Sequence, residues 1–200
     1  MSDLSASAPP RAPLDFTALV NRHQGALFGF LCGLVANPEQ ARDLTQDTFH
    51  DAWRSARQQE PPFTPDSAPE AMRRWLFQAA YHRAISLLRR RRLIRWESLE
   101  ESHEREPERY AAYLPFEENI AEREALQAAL ASLTPPDVAC LLLRVVQGFS
   151  AAEAGEIIGA PPDIINKRLS RAKQRLRAAY LAQEVPAQQF PPRKDFPNEQ

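Results

Sequence analysis

From Met72 to Trp96 the chain reads MRRWLFQAAYHRAISLLRRRRLIRW, with no glycine, no proline and no carboxylate. Nothing in this stretch breaks a helix, and Trp75, Leu76, Ala79, Ala80, Ile85 and Leu88 recur at the spacing of one helical face. Arginine stands at 73, 74, 83, 89, 90, 91, 92 and 95, mostly on the other side or at the C-terminal end, where cations suit the negative end of the helix dipole. The apolar stripe predicts a packed helix. It does not account for four consecutive arginines with no acid nearby, because like charges one turn apart repel by a few tenths of a kcal/mol each. An external polyanion would neutralise that run. Nucleic acid is the first partner this implies, with a solvated face and an anionic membrane surface as the other two.

Only six glycines in 200 residues, 44% hydrophobic content and long periodic runs point to an all-α chain of one domain or two small ones. The net charge of −1 hides strong segregation: residues 72–96 and 164–180 are basic, while ten glutamates face three arginines between Glu97 and Glu124. Cys32 and Cys140 each sit alone in an apolar helical pattern, which favours small buried hydrophobes over a disulfide or metal site. The N-terminal MSDLSASAPPRAPLD is polar and proline-rich, unlike a signal peptide. The longest apolar run, Gly25 to Ala36, is about half the ~20 residues of a membrane span. A cytoplasmic protein with no membrane insertion, no metal and no cofactor is expected.

The expected organisation is a disordered arm over 1–14, a helical domain over 15–96, an acidic linker over 97–121, a second helical domain over 122–183 and a disordered tail over 184–200. The first helix should run from Phe16 to Val35 behind Asp15 as cap, burying Phe16, Leu19, Val20, His23, Leu27, Phe30, Leu31 and Leu34. Gly25, Gly29 and Gly33 share a face and would let another helix approach closely. Asn37-Pro38-Glu39-Gln40 starts the second helix, which should end near Arg57 and bury Ala41, Leu44, Thr48, Ala52, Trp53 and Ala56. Asp43, Gln46, Asp47 and His50 form another stripe on it, either an ordinary wet surface or a docking face for a basic partner. Residues 58–69 are too proline-rich for helix, and Ser67-x-x-Glu70 is a capping box for the basic helix. There Trp75 and Phe77 suit the core, whereas Tyr81 and His82 are better placed to touch a ligand.

Leu126, Ala129, Leu130 and Leu133 pattern a helix in the second domain, with helical chain beginning near Asn119. Thr134-Pro135-Pro136-Asp137 opens the next, carrying Val138, Leu141, Leu142, Val145 and Val146 inward until Gly148 ends it. Ser150-x-x-Glu153 is a capping box for a short helix through Ile158, Gly159 closes it, and a last helix of about eighteen residues follows. Short helix, tight turn and longer helix make a helix-turn-helix. The last helix packs through Ile165, Leu169, Ala172, Leu176, Ala179 and Tyr180. It leaves Asn166, Lys167, Arg168, Ser170, Arg171, Lys173, Arg175 and Arg177 for other work. In a major groove arginine bonds guanine, asparagine bonds adenine, and lysine or serine holds phosphate. No Gly-rich phosphate loop, nucleophile–base arrangement or paired carboxylate appears, so an enzyme is not expected.

Three segments in this order resemble a bacterial extracytoplasmic-function (ECF, group 4) sigma factor of the sigma-70 family: FTALVNRHQGALFGFLCGLVANPEQARDLTQDTFHDAW, MRRWLFQAAYHRAISLLRRRRL, and LQAALASLTPPDVACLLLRVVQGFSAAEAGEIIGAPPDIINKRLSRAKQRLRAA. The resemblance implies two small helical domains, sigma regions 2 and 4, joined by the acidic linker. Core RNA polymerase would be bound through its clamp and flap, with Asp43, Gln46, Asp47 and His50 as the polymerase-binding stripe. Tyr81, His82, Arg83, Ser86, Arg89, Arg90, Arg91 and Arg92 would meet the −10 element as single strand. Asp163, Asn166, Lys167, Arg168, Ser170, Arg171 and Arg175 would read the −35 duplex. The resemblance also implies that an anti-sigma factor can be a partner. The chain departs from the family pattern at His82 (Asn in the pattern), Ser86 (Asp) and Asn166 (Lys), and Gly155 weakens the helix-turn-helix motif. The alternative is a stand-alone helix-turn-helix regulator that binds duplex DNA without polymerase.

Overall fold

The computed structural model describes residues 14–64, 67–97, 126 and 128–182, with side chains of 92–97 left aside. The arm, most of the acidic linker and the tail inferred above lie outside the described residues. Every described element is helical. α1 spans Phe16–Val35, α2 Pro38–Arg57 and α3 Pro69–Glu97. Residues 128–131 are also helical, ahead of α4 at Pro135–Leu141, α5 at Ala151–Ile158 and α6 at Pro162–Ala182.

The starts and stops follow local hydrogen-bond chemistry. The Asp15 carboxylate accepts from the Ala18 N–H at 2.9 Å, and the Asn37 side chain accepts from the Gln40 N–H at 2.9 Å with Pro38 at the first turn. Ser150 and Glu153 form the reciprocal box, closing at 3.2 Å and 2.8 Å. The box expected at Ser67 does not form. The Ser67 hydroxyl pairs instead with Thr64 Oγ1 at 2.7 Å, and the Ala68 carbonyl takes the first N–H groups of α3. Thr134 occupies the cap of α4 without a side-chain bond; the prolines that follow carry no N–H to satisfy.

α1, α2 and α3 pack on one another around Leu27, Phe30, Leu31, Ala52, Leu76 and Phe77, all at 0–1% exposure. Phe49 and Phe63, absent from the expected core, are buried with them, and Phe63 meets Trp75 edge-to-face at 4.9 Å. Trp53 corrects the expectation in the other direction. It is 43% exposed, with the Arg57 guanidinium 5.0 Å over its ring. Gly25 and Gly29 face open space rather than a neighbouring helix; only Gly33 makes a close approach, to Leu142. His23 is buried, and desolvation followed by the Arg22 and Arg73 charges lowers its pKa below 6.5, so the ring is a neutral core group.

In the second unit α4 widens into a π turn over Leu142–Val146, where the Gln147 N–H reaches back to the Leu142 carbonyl at 2.9 Å. The extra residue shifts the register. Val145 and Val146, expected inside, are 57% and 61% exposed, and Phe149 is buried instead. α5, a turn with Gly159 at φ +79° and α6 complete a helix-turn-helix. Gly155 is a requirement of that turn: a Cβ there would lie 2.5 Å from the Ala160 carbonyl oxygen. The weakening expected from Gly155 is therefore replaced by a close backbone approach.

Candidate nucleic-acid and polymerase interface

α2 presents Asp43, Gln46, Asp47 and His50 together on its exposed side, one to two turns apart. Trp53 continues that stripe, its ring 6.3 Å from the His50 imidazole. Asp43 has no hydrogen bond or ion pair among the described residues. Asp47 and Asp51 both accept from Arg83 on α3, Asp47 at 3.4 Å. One arginine of the basic helix is thus held internally across the α2–α3 seam. The exposed apolar ring of Trp53 amid acids was invisible to periodicity, which set it one step inward.

α3 sorts its cations by position. His82, Ser86, Arg89 and Arg90 are exposed, Arg83 is tied to α2, and Arg91 donates to the Gln40 side chain. Arg92 has no described side chain. Tyr81 is 6% exposed in this structure, contrary to the expected outward placement. Its phenol pKa is raised by burial, against the opposing charges of Arg168 and Arg89. Arg73 and Arg74 point to the second unit. Arg73 donates to the Gln147 carbonyl and stacks 4.0 Å over Phe149, and Arg74 pairs with Glu156 at 2.7 Å.

α6 divides in the same way. Asn166, Ser170 and Arg171 are exposed and have no partner among the described residues, while Asp163 and Lys167 pair at 3.7 Å along the helix. Arg168 and Arg175 turn back to one carboxylate, Asp137 at the start of α4, at 3.2 Å and 3.5 Å. The Asp137 side chain is only 10% exposed. The two arginines are therefore tied to the fold; Asn166, Ser170, Arg171, Lys173 and Arg177 have no partner among the described residues, and Lys167 is held only along the helix by Asp163. The distance in sequence from Asp137 to its partners hid this division.

Among the described residues no cluster of His, Cys, Asp and Glu could hold a metal ion. Burial pushes the Cys32 thiol up to about 11 and raises that of Cys140, as expected of packing residues. No helix of the described residues is long and apolar enough to cross a membrane.

Residues 19–94 match the family described as Sigma-70 region 2, and residues 123–176 match Sigma-70, region 4. The chain is 32% identical over 168 residues to the ECF RNA polymerase sigma factor SigE of Mycolicibacterium smegmatis, covering 82% of this chain and 60% of that protein. It is 30% identical over 165 residues to the RNA polymerase sigma factor CarQ of Myxococcus xanthus, covering 81% of this chain and 87% of that one. The chain belongs to the sigma-70 family. Its likeness to SigE and to the ECF sigma factor SigL of Mycobacterium tuberculosis, at 29% identity over 180 residues and 94% of that protein, places it among the ECF members. The all-α fold of this sigma factor resembles the sigma factor RpoE from Bartonella quintana, solved with the anti-sigma factor NepR, at TM-score 0.67 and 25% identity over 84% of this chain and 98% of that one. CnrH, solved with the cytosolic domain of CnrY, matches at TM-score 0.57 and 25% identity over 84% of this chain and 88% of that one. The chain spans 60% of the length of SigE, which extends beyond the matched region.

Proposed function

We propose that this sigma factor binds core RNA polymerase through the α2 stripe, directs it to promoters with −35 and −10 elements, and opens the −10 DNA. The carrying observation is that one chain exposes an acidic stripe and, separately, two sets of unpaired cationic and polar groups on α3 and α6. A carboxylate-rich face repels DNA and suits a basic protein surface, whereas the free arginines suit phosphate. α6 would enter the −35 major groove with Asn166, Lys167, Ser170 and Arg171 foremost. α3 would hold the −10 strand by Arg89 and Arg90, with His82 and Ser86 facing bases. Breaking each stacked step costs on the order of 1–2 kcal/mol. Stacking captured bases on aromatic groups returns ~1–3 kcal/mol per base, so capture of single strand is what drives opening. No chemistry of its own is required, and the protein would work in the cytoplasm beside its polymerase. The resemblance to sigma factors solved with NepR and CnrY supports an anti-sigma factor as a further partner.

In vitro transcription with bacterial core polymerase on a randomised promoter pool tests this reading. Enrichment of paired elements at −35 and −10 is expected. A chain that bound duplex DNA as a dimer but ignored core would overturn it in favour of the stand-alone regulator.

A further inference from the structure

α6 is held to its unit by a narrow apolar seam. Of its 21 residues, Ile165 and Ala172 are fully buried, and Leu169 and Leu176 are half-buried beside them. These four follow a stripe one side chain wide, and one of them is alanine. Contacts that lie close to a single line along a helix hold it in place but resist its rotation poorly. The Cys140 thiol donates to the Ile165 carbonyl at 3.4 Å, a weak bond on the seam itself.

Asp137 supplies what the seam lacks. Its side chain, 10% exposed at the start of α4, accepts from Arg168 at 3.2 Å and from Arg175 at 3.5 Å. The two arginines stand two turns apart on one side of α6, and at about 100° per residue that side lies roughly 80° round from the seam. Two bonds to one carboxylate, both off the seam, oppose a roll of the helix. Among the described residues no other acid pairs with α6 from a different helix.

The consequence falls on the outer face. A helix with its side chains is about 10–12 Å across, so a roll of ~30° carries the tips of Asn166, Lys167, Ser170 and Arg171 sideways by about 3 Å. That is the whole length of an N–H···O hydrogen bond. A phosphate contact survives such a shift, because charge attraction has little directionality. A bidentate bond from arginine to guanine, or from asparagine to adenine, does not.

We propose that Asp137 is a positioning residue for −35 recognition: through Arg168 and Arg175 it sets the roll of α6, and with it the base edges that Asn166, Lys167, Ser170 and Arg171 meet. Asp137 touches no DNA. This rests on the reading of α6 as the −35 helix. Without the tie α6 stays in its seam and stays cationic, so duplex is still bound but is read less sharply.

The full-length chain tests this with a pool of duplexes randomised over a −35-sized window and sequenced before and after retention. The chains compared are the wild type, Asp137→Asn, Asp137→Glu and the pair Arg168→Ala with Arg175→Ala. Both arginines are removed together because either one alone still holds the carboxylate. Preference between two bases is a ratio set by the folded molecules of one preparation, so a loss of folded fraction cancels from it. In the wild type a wrong base should lower retention roughly tenfold at the positions read best. Asp137→Asn keeps the shape of the side chain without its charge and should compress that penalty to about two- or threefold. The double arginine variant should show the same compression, and Asp137→Glu, which keeps the carboxylate, should return the penalty to within about twofold of the wild type. Retention of every sequence lowered by one common factor in Asp137→Asn would overturn the proposal and leave Asp137 a stabilising residue alone. A sharp profile in the double arginine variant would overturn it too, since cutting either side of the tie must free the same roll. A wild-type chain with no base preference would instead remove the −35 reading of α6, and the proposal with it.

Discussion

The two helical units solve the problem of stability differently. The N-terminal one is held by wide apolar faces: α1 alone buries Leu19, Leu27, Phe30, Leu31, Leu34 and Val35, and its ion pairs, such as Arg83 with Asp47 and Asp51, lie at a half-exposed seam. The C-terminal unit includes two short helices, α4 and α5, and it adds local polar devices. These are a carboxylate shared by two arginines, a capping box and a turn that only glycine fits. Small domains bury a lower fraction of their surface, so single polar contacts carry more of their stability. On the proposed function the same division would tell which arginines serve DNA: cations that face an acid across the fold would be structural, and those that face water would remain for phosphate.

The sharpest way to break this comparison is to cut the acid from each unit. Asp137→Ala leaves Arg168 and Arg175 without their common partner, and Arg168 Nε is already buried without one. A loss of about 3 kcal/mol is expected, because a partly buried guanidinium is left uncompensated. Asp51→Ala, at a seam where both partners are about a third exposed, should cost below ~1 kcal/mol. Urea denaturation of both variants measures the two values. Equal losses would show that the N-terminal seam is as dependent on charge as the C-terminal unit.

The glycines give a second pair. Gly155→Ala places a methyl group 2.5 Å from a backbone oxygen that cannot move without reopening the turn, so about 2 kcal/mol of destabilisation is expected. Gly33→Ala meets only the end of the Leu142 side chain, 2.6 Å away, which can change rotamer. Its melting temperature should stay within a degree or two of the wild type, roughly a few tenths of a kcal/mol. A large drop for Gly33→Ala would mean that the contact between the units is tighter than the side chain implies.

These contrasts also mark what the sequence could disclose. Caps at Asp15, Asn37 and Ser150, the stop at Gly159 and the ends of α2 and α5 were legible because their chemistry is confined to four or five consecutive residues. So was the acidic stripe of α2, since helical spacing alone puts Asp43, Gln46, Asp47 and His50 on one side. The pairing of Asp137 with Arg168 and of Asp51 with Arg83 was not legible, because each joins residues about thirty positions apart. Val145 and Val146 were misplaced by a π turn that no pattern of period 3.6 anticipates. Phe149 was passed over because it lies in a connection, where an apolar residue gives no periodic signal, yet it is what joins the two units.

Arg171 and Arg168 test whether the division of cations is also a division of labour. Arg171→Ala should leave stability unchanged, weaken −35 duplex binding by about 1–2 kcal/mol and reduce the salt slope by about one. Arg168→Ala should do the reverse: a lower unfolding midpoint, with its effect on binding confined to lost folding. Titration of each variant with −35 duplex at several salt concentrations separates them. A normal slope for Arg171→Ala together with a reduced one for Arg168→Ala would exchange their roles.

A last contrast concerns the capping box of α5. The Ser150 hydroxyl and then its backbone N–H hold the Glu153 carboxyl below its ordinary 4.5. A depressed carboxylate pKa gives stability that is present above the unfolded value and is lost as pH falls through the folded one. Ser150→Ala removes the cap acceptor for the Glu153 N–H and should cost about 1 kcal/mol near neutral pH. Below about pH 4 the difference between variant and wild type should shrink, since protonated Glu153 no longer completes the box in either chain. Denaturation midpoints measured from pH 7 down to pH 3 read this directly. A gap that stayed constant across the range would assign the contribution to the serine cap alone, and Glu153 would then be a surface acid like those on α2.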